Sequence, residues 1–175
     1  NANLQRYAEA FSFLQSKNLY TVDDLENTLY SMQDKIDALK KSASAKQARI
    51  KEVDALLRMV DYYKSGKPAA DKLKSIRFEK SRQKYRAEHD DELRTFYMAE
   101  RKLKPYFKDG KLPITAWRRE REQLEQDCKD IQTELSPLHA DAKKLWAIHY
   151  NIYEVQHEQE RQNTAMRQKK QEMER

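Results

Sequence analysis

Residues 22–60 read VDDLENTLYSMQDKIDALKKSASAKQARIKEVDALLRMV, and the spacing of their apolar side chains decides the fold class. Val22, Leu25, Leu29, Met32, Ile36, Leu39, Ala43, Lys46, Ile50, Val53, Leu57 and Val60 follow one another in alternating steps of three and four. Eleven of these twelve positions are apolar, Lys46 being the exception. Such steps average about 3.5 residues, the repeat of a helix that holds one narrow stripe against a partner helix. Thr21 stands just ahead, suited to cap the first free N–H groups, and Asp23 and Asp24 place negative charge at the positive end of the helix dipole. No Gly or Pro interrupts the pattern before SGKP at 65–68.

A second stripe follows Pro113. Ile114 and Trp117 open it, and Arg121, Leu124, Cys128, Ile131, Leu135, Leu138, Ala142, Leu145, His149 and Ile152 continue it. Its register passes Pro137 unchanged, which predicts one helix bent at the proline and not two helices. At about 1.5 Å per residue both stripes span roughly 55 Å. Equal stripes joined by a connection able to turn the chain are expected to pair antiparallel within one molecule; pairing with a second copy is the alternative. The fold class is therefore all-α, a long antiparallel coiled-coil hairpin with short packing helices. Its first long helix is expected over 21–63 and its second over 114–155.

The remaining segments are assigned around this hairpin. Residues 3–18 predict a packing helix whose face is Leu4, Tyr7, Ala8, Phe11 and Leu14, stopped at Asn18. Residues 64–113 form a basic helical insert. In it Ala69, Ala70, Leu73 and Ile76 share one side, and Leu93, Phe96, Tyr97, Glu100 and Leu103 form the buried face of a helix capped by Asp90. The cluster of Trp146, Tyr150 and Tyr153 is expected to pin the first helix through Tyr7 and Phe11. Residues 156–175 lack an apolar stripe and read as an exposed helix or a disordered tail. Asn1-Ala2 reads as a tag remnant, so the chain is expected to be a fragment of a longer protein.

Composition agrees with long helices and narrows the chemistry. The 175 residues are 38% hydrophobic and 37% charged, with two Gly, four Pro and a mean hydropathy of −1.11. That leaves too few turn residues for a many-stranded sheet and no apolar run long enough for membrane insertion. The single Cys128 fits a reducing compartment and reads as an apolar filler. His89, His139, His149 and His157 lack the spacing of a helical zinc site, and His149 lies on the second stripe as a satisfied core residue. No glycine-rich phosphate loop and no catalytic constellation are present. The expectation is a chain with no catalytic, metal or cofactor site.

Charge points elsewhere. Residues 72–86, KLKSIRFEKSRQKYR, hold seven Lys or Arg against one acid, a net charge of +6, which equals that of the whole chain. Lys72, Lys74, Arg77, Lys80, Arg82, Lys84 and Arg86 are the candidate nucleic-acid contacts, gripping phosphates with little sequence preference. On one helix, Arg77, Lys80 and Lys84 would line one surface. Phe78 and Tyr85 would share another, to pack inward or to stack on unpaired bases. The competing reading is a solvated helix face.

Three segments carry a family resemblance: NLQRYAEAFSFLQSKNLYTVDDLENTL (3–29), FYMAERKLKPYF (96–107) and GKLPITAWRREREQLEQD (110–127). They resemble the region that follows the nuclease domain in mobilisation relaxases of Gram-positive plasmids and conjugative transposons. Such enzymes nick DNA at the transfer origin with a Tyr nucleophile and a His-held metal. Those motifs are not in this sequence, so no catalytic residue carries over. The resemblance implies an accessory region of the bacterial cytoplasm. It would hold DNA near the origin of transfer, or engage accessory or secretion-machinery proteins, with self-association a further option.

Overall fold

The junction between the first two helices forms where Asn18 and Thr21 supply partners for unpaired backbone groups. The computed structural model describes residues 2–173 and holds α1 (Ala2–Ser16), α2 (Val22–Ser75), α3 (Glu79–Glu88), α4 (Asp90–Leu103) and α5 (Ile114–Met173), with a short 3-10 turn at Lys104–Tyr106. The described residues contain no β-strand, only an isolated bridge between Lys108 and Lys111. Asn1, half of the expected tag remnant, and residues 174 and 175 of the expected tail lie outside the described residues.

Asn18 ends α1 in the left-handed conformation, at φ 56°. The Leu19 N–H then reaches the Leu14 carbonyl at 3.0 Å and the Asn18 N–H reaches that of Gln15 at 3.0 Å. This is a Schellman closure, in which Leu19 is buried against Leu14. Thr21 caps α2 reciprocally: its Oγ1 accepts from the Asp24 N–H at 3.1 Å while its own N–H donates to the Asp24 carboxylate at 3.1 Å. The hydroxyl of Thr21 holds the Asp24 carboxyl below its ordinary range.

The chain divides into two compact units, residues up to Lys41 with those from Ile131 onward, and Ser42–Asp130. In the first, Leu25 and Leu29 of α2 bury against Leu145 of α5, and Ile36 buries against Leu135 and Ala142. Glu26 pairs with His149 and Lys35 with Glu134, so the two helices run antiparallel there. Complete burial of Leu25, Leu29, Ile36 and Leu145 contributes about 1.5–3 kcal/mol for each side chain. Phe13 and Leu14 dock α1 on Ile148 and Ile152, and Lys17 secures it to Asp141.

In the second unit Val53 and Val60 of α2 close on Trp117 of α5 and Leu103 of α4. The polar positions of the two stripes are explained here. Lys46 reaches Asp127 at 2.7 Å, and Arg121 reaches Asp54 on the facing helix. Arg49 adds a forked contact to Glu120, at 2.7 and 3.2 Å. These hydrogen bonds hold the carboxyls of Glu120 and Asp127 below their ordinary range. A carboxyl that titrates lower in the folded chain contributes stability above its unfolded pKa and loses it as pH falls through the folded one. The thermal midpoint should therefore drop as pH is lowered from about 5 to about 3. A midpoint that climbs over that range in a calorimetric series would contradict these pairs.

Four expectations are corrected. First, α2 does not stop at 63 but continues through Gly66 and Pro68 to Ser75. Pro68 is exposed, so the carbonyl it leaves unpaired can meet water, and burial of Ala69, Ala70 and Leu73 against Leu93 and Phe96 holds the final turns. Gly66 permits that approach, since a Cβ there would lie 2.6 Å from the Phe96 Cβ and 3.1 Å from the Glu92 carbonyl oxygen. Gly66→Ala, which would stabilise an isolated helix, should here cost about 1–3 kcal/mol of stability, measured by urea titration.

Second, α5 does not end at 155 but runs on to Met173, so that of the two readings of the tail the exposed helix is the one found over its described residues. Third, α4 begins at Asp90 with His89 in the capping position, and Asp90 pairs with Arg94 at 2.6 Å. Its buried face is Leu93, Phe96, Ala99 and Leu103. Fourth, the aromatic cluster does not pin α1. Leu4, Tyr7 and Phe11 are 74%, 64% and 63% exposed, and Trp146, Tyr150 and Tyr153 are also open. On α5 the residues 145, 149 and 152 face α2 while 148 and 152 meet α1, so helical spacing turns 146, 150 and 153 away from both. Trp146 and Tyr153 instead rest edge-on against His149 and His157.

Candidate nucleic-acid interface

The basic stretch 72–86 does not form one helix. Lys72 and Lys74 lie in the last turn of α2, residues 76–78 are extended or bent, and the rest forms α3. The break is fixed from within. Arg82 reaches back from α3, donating from Nη2 to the Ile76 carbonyl at 2.8 Å and from Nη1 to Glu79 at 3.5 Å. Tyr85 packs against the cluster of Ala69, Ala70, Leu73, Leu93 and Phe96, with the Lys72 ammonium 5.2 Å from its ring centre and the His89 ring 4.2 Å away.

The seven candidate residues therefore have different surroundings. Arg82 is half-buried, its Nε enclosed without a hydrogen-bond partner, and its guanidinium ties α3 to the end of α2. Lys72 lies over Tyr85, and Lys84 approaches Glu88 at 3.9 Å. Lys74, Arg77, Lys80 and Arg86 are exposed and have no ion-pair partner among the described residues. Phe78 and Tyr85 are separated as well: Tyr85 turns inward, while Phe78, the N-cap residue of α3, is 78% exposed.

A second basic stretch escaped the sequence reading. Residues 101–119 hold seven Lys or Arg and one acid, Asp109, so they too carry +6. The stretch is hidden in the whole-chain balance because residues 120–134 follow with six acids and two cations. A sliding local charge count would have found it. Lys102, Lys104, Lys108, Lys111, Arg118 and Arg119 are all exposed. Lys108 and Lys111 flank a two-residue hairpin turn, in which Asp109 and Gly110 take φ of 50° and 74°. The first stretch ends before α4 begins, and the second starts in the last turn of α4 with Arg101 and Lys102; the helix's 14 residues span about 20 Å. Residues 42–130 contain 23 Lys or Arg and 16 Asp or Glu, a net charge of +7, which leaves −1 for the other unit.

The first unit offers a different surface. A groove of about 570 Å³ runs between α1 and α5, lined by Tyr7, Ala10, Phe11, Ile148, Ile152 and Val155 among others. Among the described residues no group of three or more His, Cys, Asp or Glu is placed to hold a metal ion. No helix among them is long and apolar enough to cross a membrane. No family model matches the chain, and neither a curated protein nor a solved structure does.

Proposed function

We propose that this chain is a non-catalytic accessory domain of a DNA relaxase, acting in conjugative mobilisation in the bacterial cytoplasm and contacting DNA through its basic insert. One observation carries the DNA contact. Lys74, Arg77 and Lys80 around the break between α2 and α3, and Arg86 in the last turn of α3, are exposed and have no ion-pair partner among the described residues, in a unit of net charge +7. Paired surface charges would be neutralised within the protein, whereas unpaired ones of one sign are available to phosphates and to the counterion release that follows. The relaxase assignment rests on the resemblance of residues 3–29, 96–107 and 110–127, and the origin-of-transfer region is the DNA it implies.

A second reading has its own support in the open apolar face of α1, where Leu4, Tyr7 and Phe11 lack cover. It makes the chain a helical scaffold or oligomerisation arm that binds accessory or secretion-coupling proteins, or a second copy. Fluorescence anisotropy with labelled single- and double-stranded DNA across a salt series separates the two. Binding that weakens steeply with salt supports the DNA contact. No binding at low salt removes it and leaves the scaffold.

A further inference from the structure

We infer that Phe78 is a base-stacking site for single-stranded nucleic acid; this rests on the reading above, in which the surrounding cations hold phosphates. The ring is 78% exposed and sits where the backbone is extended, at φ −85° and ψ 125°, between the end of α2 and the start of α3. Lys74, Arg77 and Lys80 flank it in sequence, all exposed and without ion-pair partners among the described residues. The acid next to it in sequence, Glu79, lies 3.5 Å from Arg82. An isolated exposed aromatic is ordinary on a protein surface. An aromatic among free cations is the combination that binds single strands, the charges following the backbone and the ring taking a base face.

A duplex fits less well, because its base faces are already stacked and a ring reaches them only by unstacking a step. An anionic bilayer fits less well too, since a helix lying in that interface needs a broad apolar face. None of α3 is buried, and its own aromatic, Tyr85, is turned inward onto α2 and α4. The helix that Phe78 opens, EKSRQKYRAE, therefore presents no broad apolar face to a membrane. Stacking uses the face of the base and not the sugar, so DNA and RNA strands are expected to be held alike.

The test uses the full chain with labelled oligothymidylate, oligouridylate, an abasic deoxyribose-phosphate strand and a duplex of equal length. Phe78→Ala should lose about tenfold in affinity for both base-bearing strands, while Phe78→Trp retains it. The abasic strand and the duplex should bind both variants as they bind the parent. Salt dependence should be unchanged, since no charge is removed. Circular dichroism melting should show an unaltered fold, because no packed group is deleted. Equal affinity of Phe78→Ala and parent for oligothymidylate would overturn stacking while leaving the phosphate contact standing. Failure of the parent to bind any strand at low salt would overturn both. Phosphatidylserine vesicles pelleted with the parent but not with Phe78→Ala, in the absence of strand binding, would assign the ring to a bilayer and overturn the inference.

Discussion

Replacing Lys74, Arg77, Lys80 and Arg86 together by Gln should weaken binding to every DNA tested, regardless of sequence. If each cation neutralises one phosphate, the slope of log affinity against log salt on duplex DNA should flatten by roughly 3 to 4, at about 0.9 for each contact. The corresponding loss at low salt is on the order of a hundredfold or more. All four side chains are exposed and lack ion-pair partners among the described residues, so the fold should be little affected. Arg82→Gln provides the contrast. Its guanidinium closes the end of α2 by bonding the Ile76 carbonyl, so its loss should lower the melting temperature. Its effect on the salt slope should be smaller than that of any exposed cation. An unchanged slope in the fourfold variant would show that the positive face is merely solvated.

How much of this was legible in the sequence follows from what periodicity can report. The alternation of three and four identified both stripes, and of the first twelve positions only Val22 is exposed. Lys46 and Arg121 fitted the register despite their charge because each finds an acid on the facing helix. The same logic failed for α1. Leu4, Tyr7 and Phe11 have the spacing of a packed face, but spacing says which side of a helix is apolar and not whether a neighbour covers it. The continuation of α2 through Gly66 and Pro68 was hidden for the opposite reason. Local propensity argued for a stop, and packing between segments distant in sequence outweighed it.

The candidate interface was legible in part. Composition located the basic stretch, but the break that separates its cations lies at Ile76-Arg77-Phe78, a tripeptide without Gly or Pro. Burial of Leu73 below it and the grip of Arg82 on the Ile76 carbonyl place the break, and both are tertiary. The inward turn of Tyr85 and the outward turn of Phe78 follow from the same break, since it removes the common helical register that would have aligned them.

Phe96→Ala should be the most destabilising single truncation in the unit formed by residues 42–130, costing about 3–5 kcal/mol. Phe96 is 1% exposed, stacks on Tyr63 with ring centres 5.1 Å apart, and lies directly beneath Gly66. Truncation would leave a cavity between α4 and the last turns of α2, with Ala69, Ala70, Leu73 and Leu93 around it. The effect should reach the basic break, because α3 buries no residue and leans on this cluster through Tyr85. Under conditions where the variant remains folded, single-strand affinity should fall modestly while the salt slope holds, since every cation is retained. Adding Gly66→Ala should not rescue it, because the close contact at Gly66 is with the Phe96 Cβ, which Ala keeps. A double variant as stable as Phe96→Ala alone, measured by urea titration, would show that α2 and α4 can separate at little cost and that Gly66 is not needed for their approach.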